Sequence, residues 1–322
     1  GAGLKATPLD VTSNPKKLKF VELDAAQLAR SLDDLDAAAI NTNFALSAGL
    51  NPKTDAIAQE SAKSPYVNII AVREADKDKP WVVLSHSLAC DLSMWDNEVR
   101  LLSQHYRVMR YDTRGHGKTS APAGPYTLDQ LTDDAKALLD ALGIGRCHWV
   151  GLSMGGMIGQ TFALKYPDVF TSMVLADTTS KYPEGSGPIW EARIKLVGEQ
   201  GMQAVVQPTL ERWFTAPFRA AQPALMARVA ALINNTPVAG YSGCCAALPK
   251  IDVTAQLNHI RIPTLVLCGD QDAGTPVALS EEIHRNLPGS TLVIIPSASH
   301  LSNLEQPEAF GTAIAGFIAR HR

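Results

Sequence analysis

Short apolar runs closed by polar or glycine-containing turns recur through the last three-quarters of the chain. They fall at Trp81 to Leu84, Arg107 to Asp112, Cys147 to Leu152, Ser172 to Asp177, Thr264 to Gly269 and Thr291 to Ile295. Runs of this length without alternation predict strands buried on both faces, as in a parallel sheet. Stretches with helical spacing lie between them. Met94-Trp95 with Leu101-Leu102 predicts a helix packed on the sheet, and Thr127 caps another that ends at Leu142-Gly143. Further helices are predicted over Ile158 to Tyr166, stopped by Pro167, over Ser280 to Leu287, and over Pro307 to Ile318. Such alternation predicts an α/β fold, a mostly parallel sheet with helices on both faces. It breaks between Thr178 and Lys250, where helical patches are interrupted by Pro208, Pro217, Pro223 and Pro237. This predicts a core of 81–177 and 251–322 with a helical lid, 178–250, over the strand ends.

Residues 1–80 read differently. Lys17 to Leu23 alternates like a short strand, and Asp24 is a plausible N-cap for a helix from Ala25 to Leu35. Ala37 to Ile40 reads as another short strand. Val67 to Arg73 is the best strand of the segment, and a charged turn, Ala75 to Pro80, follows it. With Trp81 to Leu84 these residues predict a hairpin that supplies the sheet's leading strand and covers an edge.

The composition narrows the function classes. Of 322 residues 46% are hydrophobic, enough for a sizeable core, and the net charge of −3 offers nothing to nucleic acid or an anionic membrane. No apolar run reaches the roughly 18 residues a membrane span needs. The first residues carry no basic-then-apolar signal region. Five irregularly spaced cysteines, Cys90, Cys147, Cys244, Cys245 and Cys268, argue against a disulfide framework and for buried thiols in a reducing, cytoplasmic compartment.

One stretch carries chemistry. Gly151-Leu152-Ser153-Met154-Gly155 is a Gly-x-Ser-x-Gly motif between an apolar strand and a helix. A serine at such a strained turn is pushed out of the sheet, and the flanking glycines lack the Cβ atoms that would block the turn. Met154 N–H then stands at a helix N-terminus, where it can stabilise an oxyanion. A serine hydroxyl needs a base, and His300 follows the last strand on the same sheet edge. An acid must orient that base; Asp270 and Asp272 both lie just beyond the strand ending at Gly269. His86, His116 and Arg114 also lie in strand-end loops. There the single base the chemistry needs leaves them loop-fixing roles.

From Trp81 onward the chain resembles α/β-hydrolases, most closely 3-oxoadipate enol-lactonases. The residues that carry this are Ser85 to Asp96, Arg110 to Gly117, Gly124 to Leu128, Gly151 to Gly156 and His300 to Glu305. Ser87, where most of these hydrolases have glycine, agrees with the lactonase pattern, whereas Ala89-Cys90 departs from it. The order Ser…Asp…His is that of this fold. The resemblance of Gly-x-x-Asp-x-x-Thr-Pro at Gly269 to Pro276 to the family's acid loop selects Asp272, with Asp270 as fallback. It implies Leu88 N–H as the second oxyanion donor beside Met154. The implied reaction is hydrolysis of a small-molecule lactone or ester through a serine acyl-enzyme, with no cofactor and no metal. Trp95, Trp190 and Trp213 are the candidates for substrate contact, and Arg193 or Arg212 for a substrate carboxylate. A broad-range carboxylesterase is the alternative within this class.

Residues 3–81 resemble the C-terminal half of a periplasmic methionine-binding lipoprotein. The carriers are Leu9 to Pro15, Phe20 to Leu28, Ala38 to Ala45 and Ser64 to Ile70. The resemblance places Asn41 or Asn43 at a ligand-holding position, but the remainder of both lobes is missing. The chain therefore reads as a fusion joined near Pro80-Trp81. A small-ligand binding protein or receptor is the alternative from another class.

Overall fold

The computed structural model describes residues 78–321, which lie in the second of the two units into which the chain divides, Val72–Arg322. The strands expected before Trp81, the hairpin with Val67 to Arg73, and Asn41 and Asn43 lie outside the described residues. Among those described, β1 (Trp81–Ser85), β2 (Arg107–Tyr111), β3 (Cys147–Leu152), β4 (Phe170–Ala176), β5 (Thr264–Gly269) and β6 (Thr291–Ile295) form one sheet. The order is β2-β1-β3-β4-β5-β6, and every neighbouring pair is parallel. The β3, β5 and β6 bounds are those the apolar runs predict. β3 and β5 are buried along their whole length, so neither has a polar face to interrupt its run.

Helices fill the crossovers: α1 (Asp96–Leu102), α2 (Leu128–Ala141) and α3 (Met154–Lys165) before β4. The Thr127 hydroxyl caps α2 by accepting the Gln130 N–H at 3.0 Å, which satisfies one of its orphan donors. The helix α3 begins four residues before the expected Ile158. All residues from Met154 to Gln160 are buried, so the first turns show no polar stripe from which a helical period can be read. Trp149 of β3 sits against Phe162 and Phe170, with ring centroids 5.7 and 5.2 Å away, and its indole N–H donates to Gly155 O at 3.1 Å. One buried aromatic thus both fills the core and pins the first turn of α3 to the sheet.

Between β4 and β5 lie five helices: α4 (Gly187–Gln200), α5 (Gln203–Trp213), α6 (Ala216–Ala221), α7 (Pro223–Asn235) and α8 (Val238–Ala247). Pro217 and Pro223 stand in the first turns of α6 and α7, and Pro237 is the N-cap of α8, positions that do not need an amide N–H. Pro208 is different. It lies inside α5 and does not break it. The two ends of the insertion are clipped together where Val253 N–H donates to Ser180 O (2.9 Å) and Lys181 pairs with Asp252 (3.0 Å). After β5 come α9 (Val277–Asn286), then β6, α10 (Ser302–Glu305) and α11 (Pro307–Ala319). All five cysteines are free and buried. No helix among the described residues is long and apolar enough to cross a membrane.

Candidate active site

Ser153 connects β3 to α3 at φ +55°, ψ −111°, a conformation that costs a non-glycine residue about 1–3 kcal/mol. The surroundings hold it there. Its N–H donates to Ala176 O (2.9 Å), and its carbonyl accepts the Thr178 hydroxyl (2.7 Å). A Cβ on Gly151 would stand 2.1 Å from Gly155 O, and one on Gly155 would stand 2.0 Å from Ser85 O, so the motif glycines are required by contact.

The structure brings the three predicted residues into one chain of contacts. Ser153 Oγ lies 2.9 Å from His300 Nε2. His300 Nδ1 lies 2.9 and 3.0 Å from the two oxygens of Asp272. A carboxylate only accepts, so Nδ1 carries the proton and Nε2 is left to accept the serine proton. Asp272 also accepts the Gly274 and Thr275 N–H groups (2.7 and 2.9 Å) and the Thr275 hydroxyl (2.7 Å). Burial alone would raise the Asp272 carboxyl. The His300 charge and the hydrogen bonds from His300 and Thr275 outweigh burial, and the net direction is down. Thr275 was legible beforehand as the threonine of the acid-loop pattern. The fallback acid, Asp270, is exposed and instead accepts the Ala298 N–H at 3.2 Å.

In the loop after β1, Leu88 N–H stands between donors that are engaged. Ser87 N–H is directed at Met94 Sδ (3.4 Å), Ala89 N–H donates to His116 Nε2 (3.0 Å) and Cys90 N–H donates to Ser87 O (3.2 Å). Neither Leu88 N–H nor Met154 N–H donates to any group among the described residues. Both residues stand at the Ser153 turn: Leu88 lines the same cavity as Ser153, and Met154 is the first residue of α3. His86 and His116 anchor this loop from behind. His86 Nδ1–H donates to Ser87 O (2.7 Å), and its Nε2 accepts the Thr113 N–H (2.9 Å). His116 Nδ1–H donates to Arg114 O at 3.2 Å. Burial lowers the His86 pKa, and burial followed by the His86 charge takes His116 down to about 3, so both rings stay neutral. Arg114 is tied bidentately to Asp134 (2.5 Å) and does not enter the cavity.

The cavity above Ser153 and His300 measures about 280 Å³. Its far wall comes from the helical insertion. Trp190 and Trp213 both line it, and Trp213 stacks on the His300 ring at 6.4 Å. Trp95, expected at the substrate, is not there. It is fully buried beside Phe310 of α11, 6.3 Å between centroids, because the short helix that carries it turns its apolar face to the core. Arg193, its guanidinium 4.7 Å over the Trp190 ring, and Arg212 also line the cavity. Neither forms an ion pair among the described residues. Burial, and then Arg193, pull Arg212 below its ordinary value, though an arginine stays charged. The insertion is tied to the His300 loop: Leu301 N–H donates to Trp213 O (3.2 Å), and the Ser299 hydroxyl to Arg212 O (3.0 Å). The Glu305 carboxylate joins Ser299 N–H to Thr215 N–H (2.9 and 3.1 Å).

Asp177, Cys268 and Asp272 have ligand-type atoms within 4.8 Å of one another. All three are buried, and each oxygen of both carboxyl groups accepts at least one protein donor. Sequence reasoning missed Asp177, whose place at the end of an apolar strand marks it only as a strand terminus.

Comparison with known proteins adds relatives. The family model for the alpha/beta hydrolase fold matches residues 80–307, and that for NlpA lipoprotein matches residues 1–85. The 3-oxoadipate enol-lactonase 2 of Acinetobacter baylyi is 40% identical over 243 residues, spanning 76% of this chain and 90% of that protein. The solved enol-lactonase from Burkholderia xenovorans LB400 superposes with a TM-score of 0.73 at 38% identity, covering 75% of this chain and 92% of that one. A thermophilic esterase from Thermogutta terrifontis, solved with malate bound, has a TM-score of 0.73 at 29% identity over 76% of this chain and 91% of that one.

Proposed function

The chain belongs to the alpha/beta hydrolase fold family, and from that premise we propose that it cleaves a lactone or carboxylic ester through a serine acyl-enzyme, its substrate of the 3-oxoadipate enol-lactone type. The observation that carries this reading is the continuous contact from Asp272 through His300 to Ser153 beside two unused backbone donors. Ser153 Oγ attacks the carbonyl carbon while His300 Nε2 takes its proton, and Asp272 stabilises the imidazolium. The carbonyl oxygen, now an anion, accepts from Leu88 and Met154 N–H. The tetrahedral intermediate collapses, the ring or ester C–O bond breaks, and His300 returns the proton to the leaving oxygen. Water activated by the same histidine then releases the acid and frees Ser153.

The choice of substrate rests on the relatives at 40% and 38% identity and on Arg193 and Arg212, two cations in the cavity wall without an acidic partner among the described residues. A free carboxylate on the substrate supplies that partner. We read 178–250 as the lid over a core of 81–177 and 251–322, and 1–80 as an appended lipoprotein-like segment, which the match to residues 1–85 supports. Steady-state hydrolysis of 3-oxoadipate enol-lactone beside neutral p-nitrophenyl esters, with wild type and Ser153→Ala, tests the reading. A kcat/KM at least tenfold higher for the lactone, lost in the variant, is expected. Turnover of the neutral esters alone would make the protein a broad-range carboxylesterase.

A further inference from the structure

Asp177 follows β4 at φ +45° and is fully buried. Its Oδ1 accepts the N–H of Gly269, the last residue of β5, at 2.8 Å. Its Oδ2 is hydrogen bonded to the hydroxyl of Ser302, which opens α10 two residues after His300. Its own N–H donates to Leu267 O at 2.8 Å. The residue before it, Ala176, accepts the Ser153 N–H, and the residue after it, Thr178, donates its hydroxyl to the Ser153 carbonyl. A single carboxyl therefore joins the chain segments that carry Asp272 and His300, at the point in the backbone that also holds the Ser153 turn.

We propose that Asp177 is a positioning residue for the reaction assigned above, a carboxyl tie that fixes the His300 loop against the Asp272 loop while remaining uncharged. This role rests on the serine hydrolase reading. The physical case for the uncharged form begins with crowding. Carboxylate oxygens of Asp177 and Asp272 lie within 4.8 Å in a buried site, and two anions that close cannot both form cheaply. Asp272 has the imidazole and two N–H donors to hold its charge; Asp177 has one N–H and one hydroxyl, and no cation among the described residues. The groups facing Asp177 are Asp272 and Cys268 from β5 and its loop, and Ser302 and Glu305 from α10. Burial, then Asp272, raises the Asp177 carboxyl well above the usual carboxylate range. A neutral carboxyl and a hydroxyl can exchange donor and acceptor roles, so the Ser302 contact survives protonation. An anion at Asp177 would instead compete with Asp272 for the imidazolium and change the basicity of His300.

Asparagine copies the neutral acid, since its oxygen accepts from Gly269 and its amide donates to Ser302, whereas alanine removes both ties. The test is the pH profile of kcat/KM, with kcat and KM resolved, for wild type, Asp177→Asn, Asp177→Ala, Ser302→Ala and Ser153→Ala on one activated ester. Asp177→Ala is expected to lose about 10²-fold in kcat, the scale of a misplaced reacting group, with KM moved less than about threefold. Asp177→Asn is expected to recover kcat to within about threefold, with the acid limb of its profile superimposed on that of wild type. Ser302→Ala, which cuts one tie, is expected to lose about tenfold in kcat and carries the test if Asp177→Ala does not fold. An Asp177→Ala or Ser302→Ala protein with wild-type kcat overturns the tie. An asparagine variant as slow as the alanine variant, or an acid limb moved by about a unit, overturns the uncharged form. If Ser153→Ala matches wild type, the hydrolase reading fails and the positioning role falls with it. Loss confined to Ser153→Ala leaves that reading standing and removes Asp177 from it.

Discussion

The two walls of the cavity are built on opposite principles. On the sheet side, most polar groups are spoken for: Asp272 accepts three donors besides the His300 ring, and in the β1 loop the N–H groups of Ser87, Ala89 and Cys90 are engaged on either side of Leu88. On the insertion side, Arg193 and Arg212 face the same space with no acidic partner among the described residues. Saturation fixes geometry, because a satisfied group has nowhere better to go. Unpaired charge does the reverse, leaving interaction energy to be collected from whatever enters. The sheet edge is thus suited to hold reacting atoms still, and the insertion to choose among substrates. The ties from Ser299, Leu301 and Glu305 connect one to the other.

The division can be broken first at its centre. Ser153→Ala should lower kcat by about 10⁴-fold or more on every ester tried, with the melting temperature little changed, since alanine keeps the Cβ and the φ +55° turn and loses only the hydroxyl contact with His300. A pair of asparagine variants sharpens the comparison on the sheet side. Asp272→Asn should cost about 10⁴-fold in kcat by spoiling the imidazole tautomer, whereas exposed Asp270 should tolerate the same change within about threefold. Equal losses from both would dissolve the distinction between the two acids. For the insertion, Arg193→Gln and Arg212→Gln should each raise KM by about 10- to 100-fold for a carboxylate-bearing lactone and leave neutral esters nearly unchanged. A matching kcat loss on neutral esters would place the arginines with the chemistry instead.

The smallest effect concerns stability. The folded His116 pKa, about 3, lies below the unfolded value of 6.5, so the unfolded chain binds the proton more readily. The neutral ring's contribution is therefore fully present above pH 6.5 and is lost as pH falls from there toward 3. Between pH 6.5 and 4 this amounts to about 3 kcal/mol, or roughly 10 °C in melting temperature. Thermal melts across that range should show a shallower acid slope for His116→Gln than for wild type. Parallel slopes would mean that the ring is not held neutral.

Much of the sheet was readable before any coordinate because burial on both faces writes itself as uninterrupted apolar residues. Cys147–Leu152, Thr264–Gly269 and Thr291–Ile295 need no tertiary knowledge. Ser153, His300 and the pair Asp270/Asp272 were legible for a related reason: parallel strands bring their C-terminal ends to one edge, so residues just beyond them become neighbours. The start of α3 at Met154 was legible from the Gly-x-Ser-x-Gly motif but not from the helical period, which began only at Ile158, since a helix buried all round loses its polar stripe. Nor was the place of Trp95, because an aromatic after a strand end packs equally well against a substrate or against Phe310.

The chain alone determined the strand alternation, the edge on which serine, histidine and acid meet, and the glycines without which the Ser153 turn collides with Gly155 and Ser85. Those are consequences of local geometry and of the period of the pattern. The folded molecule put within contact distance of His300 the Asp272 that the acid-loop resemblance had selected, and it alone decided that Trp95 packs away from the cavity and that Asp177 sits between the loops of the other two. These choices turn on distances of a few ångströms between residues up to about 150 positions apart, such as Ser153 and His300. Hydrogen bonding at that range is fixed by how the strands pack, and no local pattern encodes it.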